Sequence, residues 1–386
     1  MEPEIQPLPP EAPPAPADAT LTPETVASTT EEKLLRGLRW TFLGSQGLRA
    51  GWSVLIFAIL LLILATGMGY AFFHMHLIGK KSGFTAATAF FEELSVLLPL
   101  LGTAAFVAFV ERRRSLLAFN LTGPRCIPRF FSGLLAGYLA LSALVGALTW
   151  GGWMHFGPIA LTGAEIFKYG ALWAAAFLLV GCVEEGIFRC YLQFTFTRGI
   201  NFWWALGIVA GLCLDLLLRS KGNGVWGVYA IALLGLLPCF WLQLIKMEGR
   251  GFWQAAWVTS TLFGYIHTGN GGENWIGIFA AAFIGFVFCV SVRITGSAWW
   301  AIGCHAAWDW AETFFYGTAD SGLVASGHYL NASPAGNAFW SGGADGPEGS
   351  VLVLGIILLM LAALLLIYGR KKPELLAAQS LERAIG

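Results

Sequence analysis

Hydrophobic residues in this chain come in long blocks, and polar residues gather at their ends. Apolar runs lie near 52–73, 94–110, 130–154, 170–197, 202–218, 225–245, 253–267, 275–292, 297–316 and 350–369. Each is about long enough to cross a bilayer, although 202–218 and 253–267 are short or carry polar residues. The pattern predicts an all-α fold, a polytopic transmembrane bundle of about 8–10 helices. No internal repeat is visible.

The ends differ from the middle. Residues 1–32 hold half of the 16 prolines and almost no large apolar side chain, a composition that cannot build a core. They read as a disordered cytoplasmic tail. This start lacks the basic and apolar regions of a signal peptide, so the first hydrophobic helix is expected to be retained. Residues 33–50 interleave Lys33, Arg36, Arg39 and Arg49 with Leu, Trp and Phe and read as an amphipathic segment on the membrane surface. The membrane domain is expected over 51–372, with a helical hairpin at 202–245, and 373–386 as a second cytoplasmic tail.

Composition and charge sharpen this picture. Only 12% of residues are charged and the mean hydropathy is +0.66, against about 25% charged in soluble domains. The net charge is zero and no basic patch points to nucleic acid. The cluster Arg112-Arg113-Arg114, with Arg125 and Arg129, marks the second loop as cytoplasmic. With ten spans both termini are then cytoplasmic. Only Lys80, Lys81, Lys168, Arg219 and Lys221 fall outside, and Arg189 lies within a span. The localisation expected is a cell (inner) membrane, multi-pass. The cysteines form no CxxC pair and read as small buried hydrophobes.

The candidate chemistry lies at membrane depth. Gly181-Cys182-Val183-Glu184-Glu185-Gly186-Ile187-Phe188-Arg189 places two carboxylates inside an apolar segment, where ionisable groups are costly and usually functional. Arg189 is one turn beyond Glu185 and can pair with it. Glu184 is rotated about 100° away, so one acid can be neutralised while the other stays free. The bland alternative is a buried salt bridge that locks packing. Two further spans carry Phe263 with His267, and His305 with Asp309, each pair at i, i+4. Either pair alone reads as an ordinary packing contact or hydrogen bond. Together with two acids they are expected to converge on one cavity. Glu92 and Glu93 open a span and read as structural, and Asp215 reads as a paired charge beside Arg219. The Gly-rich connection 317–349 is either a structured turn or a flexible lid.

A carboxylate can take a proton from water, and histidines can stabilise an oxyanion. The same set could ligate zinc, although no HExxH is present, or serve proton-coupled transport. The three motifs, Glu184-Glu185-xxx-Arg189, Phe263-xxx-His267 and His305-xxx-Asp309, resemble the signature of the CPBP family, intramembrane proteases that comprise the type II CAAX prenyl endopeptidases and bacterial Abi proteins. The resemblance covers about 170–316 plus the 341–350 turn. It implies that Glu184 activates the hydrolytic water, Glu185 supports it with Arg189 as structural partner, Phe263 packs, and His267 assists the water or the intermediate. His305 and Asp309 would stabilise the oxyanion. The last position is often Asn in the family, and Asp309 donates only when protonated. No metal or other cofactor is expected, with a zinc-dependent enzyme of the same family and a non-proteolytic scaffold or transporter-like protein as the alternatives. The partners implied are the lipid bilayer and a peptide or protein substrate.

Overall fold

A computed structural model describes residues 30–44, 47–79, 83–111, 113, 115–220, 235, 237–246 and 249–369. The two tails, apart from 30–32, lie outside these residues, as do Arg112, Arg114 and most of 221–236 in the expected hairpin. The fold is all-α, with three two-stranded pairings as its sheet content among the described residues, the first between β1 (Leu43–Gly44) and β2 (Gly47–Leu48). In chain order the main helices are α1 (Thr30–Phe42), α2 (Ala50–His74), α3 (Ala86–Val110), α4 (Cys126–Trp150), α5 (Ala164–Glu185), α6 (Gln193–Gly199), α7 (Phe202–Ser220), α8 (Arg250–His267), α9 (Trp275–Thr295), α10 (Trp299–Asp309), α11 (Ala338–Ser341) and α12 (Leu352–Tyr368). Six helical stretches among the described residues are long and apolar enough to cross a membrane: α2, α3, α4, the continuous 164–199 stretch, α7 and α9. Helix α12 is a shorter apolar helix. The chain is a multi-pass membrane protein. Helix α1 exists, and its Leu34, Leu35, Leu38 and Trp40 are exposed.

Two helices do not run as regular α. A π segment, Gly186–Leu192, joins α5 to α6, and a second, Trp310–Tyr316, extends α10. Each begins directly after an acid of the expected site, Glu185 or Asp309. A π turn adds a residue to the helical repeat and is common at functional sites. In the first, the Arg189 carbonyl accepts a 2.7 Å hydrogen bond from the Asn120 side chain, which gives that backbone group a partner outside its own helix.

The position of α10 is fixed by small residues. Gly133 and Gly137 of α4 face the backbone of Trp300 and Cys304, and Gly303 faces Phe130. A Cβ at any of the three would overlap a carbonyl oxygen of the opposing helix. Such close approach of small residues is how helices associate where lipid removes the hydrophobic drive. Gly181 of α5 approaches Ile302 and Ala306 in the same manner. The backbone on either side of His305 is thereby clamped against α4 and, beside Glu184, against α5.

The 317–349 connection is structured. It contains β4 (Ala319–Asp320) paired with β5 (Leu323–Val324), and β6 (Ala332–Pro334) paired antiparallel with β3 (Met154–Phe156). Ser341 and Asp345 are buried within it. Asn274 ties it to the start of α9, its amide donating to the carbonyl of Gly349 at 3.1 Å. The lid alternative is set aside by these anchors.

Helix α7 packs on α8 through Val209, Cys213 and Val258, and Asp215 pairs with Arg219 at 2.7 Å, as expected. The Tyr265 hydroxyl adds a 2.6 Å bond to Asp215.

Candidate active site

Glu185 is fully buried at the end of α5. Arg189 lies across the π segment, its Nε 3.2 Å from Glu185 Oε2, and its Nη1 donates to Oε1 at 3.3 Å. The Arg189 guanidinium is also fully buried and lies 4.2 Å from the Phe263 ring centroid and 5.3 Å from that of Phe288. Stacking of this kind suits a weakly hydrated planar cation. Gly285 of α9 makes the room, since a Cβ there would meet Arg189 Nη2. Phe263 is therefore a packing partner of the arginine, and the guanidinium is the charge partner of Glu185.

Glu184 differs from its neighbour. Its side chain is 27% exposed, lines a cavity of about 500 Å³, and its Oε2 has no hydrogen-bond partner among the described residues. The same cavity is lined by His267, His305 and Asp309. His267 ends α8, and its Nδ1 donates to the Phe263 carbonyl at 2.7 Å. That bond places one ring proton on Nδ1 and leaves Nε2 available to the cavity.

His305 is placed between acids. Its Nδ1 is 2.9 Å from Glu185 Oε1, while Nε2 is 3.8 Å from Glu184 Oε2 and 3.5 Å from Asp309 Oδ2. The two adjacent glutamates were expected to face apart, one neutralised and the other free. They do diverge, but an imidazole inserted from α10 contacts one and approaches the other with its two ring nitrogens.

One correction concerns Glu92 and Glu93. They do not open a span: α3 starts at Ala86, where Thr85 and Thr88 form a reciprocal cap. The two acids sit about two turns into α3 and line the same cavity as Glu184. Asp320 and Glu348, from the 317–349 connection, line it as well. Burial pushes Asp320 up to about 6, against its Thr313 hydrogen bond. Burial and then the Glu273 charge push Asp345 up to about 7. Burial, followed by Asp320, holds Glu348 well above the usual carboxylate range.

These connection acids carried no periodic signal in the sequence. Glu312 did, since His305, Asp309 and Glu312 fall at i, i+4 and i+7 on one helical face. Among the described residues the one group of three or more ligand atoms within 4.8 Å of one another is Glu312, Asp320 and Glu348, not Glu184, His267 and His305.

The fold and site define a helical membrane protein with a polar, acid- and histidine-lined cavity. A family model described as type II CAAX prenyl endopeptidase, Rce1-like, matches residues 239–311. The matched stretch contains Phe263, His267, His305 and Asp309 and agrees with the resemblance to CPBP intramembrane proteases. It begins after Glu184, Glu185 and Arg189. No curated protein and no solved structure matches the chain.

Proposed function

We propose that this protein is an intramembrane endopeptidase in which Glu184 activates water without a metal ion. The observation that carries the reading is the division of labour between the paired acids. Glu185 is buried and tied to Arg189, whereas the Glu184 side chain is 27% exposed, lines the cavity, and has His305 Nε2 at 3.8 Å, beyond hydrogen-bond distance. In the proposed reaction Glu184 takes a proton from water as the oxygen attacks the scissile carbonyl. His267 Nε2 hydrogen-bonds the water or the tetrahedral intermediate. His305, oriented through Nδ1 by Glu185, presents Nε2 where negative charge develops on the carbonyl oxygen. Asp309 adjoins that nitrogen and positions it. Glu185 and Arg189 act through His305 and are positioning residues. Glu184 then returns its proton to the leaving amine. The substrate is a peptide or protein segment able to reach the cavity from the membrane.

The test is a comparison of new peptide termini in membranes that express equal amounts of wild-type protein or the Glu184→Gln variant. Gln keeps the shape but cannot accept a proton from water. The reading expects termini that occur only with the wild-type protein. Identical sets of termini would reject it and favour a scaffold or transporter-like role.

A further inference from the structure

Glu312, Asp320 and Glu348 come from three separate elements: the second π segment, β4 and the 3-10 turn Pro347–Gly349. One carboxylate oxygen from each lies within 4.8 Å of the others. Hydrogen bonds account for only part of the group. The Trp308 indole donates to Glu312 Oε2 at 3.1 Å and to Glu348 Oε1 at 2.6 Å, and the Thr313 hydroxyl donates to Asp320 Oδ2 at 2.8 Å. Glu312 is fully buried, yet its Oε1 has no hydrogen-bond partner among the described residues. Beyond the three acids themselves, the charged groups acting on Glu312 and Glu348 are further carboxylates, Glu273 on Glu348 and Asp309 and Asp345 on both. Carboxylates confined this closely need either shared protons or a cation.

The backbone keeps the space beside the unpartnered oxygen open. Gly346 has φ +105°, and a Cβ there would overlap the Ala319 carbonyl and lie 3.4 Å from Glu312 Oε1. We propose that Glu312, Asp320 and Glu348 form a divalent-cation site of calcium type that fastens the 317–349 connection to the helix carrying His305 and Asp309. An all-oxygen, anionic donor set suits a hard cation rather than zinc. Calcium accepts a flexible shell of carboxylate and carbonyl oxygens, whereas magnesium demands near-ideal octahedral geometry and keeps several of its waters, so carboxylates gathered from three separate elements suit calcium better. Because Asp320 and Glu348 also line the cavity, the cation holds one wall of the candidate active site in place and takes no part in the chemistry.

The test uses the purified full-length protein in detergent, stripped of metal with EGTA, and reads calcium binding by equilibrium dialysis with thermal melting alongside. The expected result is about one Ca²⁺ per chain and a melting temperature raised by about 3 °C or more at saturating Ca²⁺, with Mg²⁺ weaker at equal concentration. Glu348→Gln and Asp320→Asn should each lose both effects. Glu184→Gln should keep them, which separates this site from the proteolytic reading. If either variant fails to fold, the other variant and the wild-type titration decide. A wild-type protein that binds no stoichiometric Ca²⁺, or variants that bind it unchanged, would overturn the proposal.

Discussion

His305 shows how one side chain can organise a site from another helix. Its ring spans the gap between two acids that the α-helix turns apart, holding one and approaching the other. The intrahelical pairs, Glu185 with Arg189 and His305 with Asp309, were legible in the sequence because i, i+4 spacing alone brings them together. The contact between His305 and Glu185 was not legible, because it depends on how α10 is set against α5. The buried ion pair yields a stability prediction. Arg189→Ala strands a fully buried carboxylate and is expected to destabilise the fold by about 3–5 kcal/mol, visible as a lower melting temperature and a lower folded yield. A normal melting temperature would mean that water replaces the guanidinium.

At the scale of elements, the site depends on helix contacts that leave little slack. Gly133 and Gly137 bring α4 onto the backbone of Trp300 and Cys304. Gly137→Ala should force the helices apart next to His305 and destabilise by about 1–3 kcal/mol. Gly146, on the same helix, has open space around it. Gly146→Ala is therefore expected to be silent in the same melting measurement. The apolar blocks foretold the helices well because hydrophobic length is nearly sufficient to specify a span. Two features lay beyond that signal. The π segments after Glu185 and Asp309 add a residue without disturbing composition. The 317–349 connection draws its order from Asn274, Asp345 and short strand pairings to residues distant in sequence.

At the scale of the molecule, the hydropathy pattern and charge distribution gave the class, a multi-pass helical membrane protein. The family match covers the half of the site carried by α8 and α10, while the glutamates come from α5. The acid-rich cavity wall, with Glu92, Glu93, Asp320 and Glu348, was invisible in the sequence because its members are remote from one another along the chain. The metal-free mechanism makes its own prediction here. A zinc-selective chelator, added in buffer that holds calcium constant, should leave hydrolysis intact, and purified protein should contain substoichiometric zinc. Stoichiometric zinc lost together with activity in His267→Ala or His305→Ala would transfer the role to a metal.

The account rests most heavily on Glu184 as the group that activates water. The decisive measurement is the single-turnover cleavage rate of a substrate identified from the mapped termini, using purified wild-type and Glu184→Gln proteins of matched melting temperature. Loss of a general base is expected to slow cleavage by roughly 10²–10⁴-fold while the fold is retained. A variant that cleaves at close to the wild-type rate would contradict the mechanism.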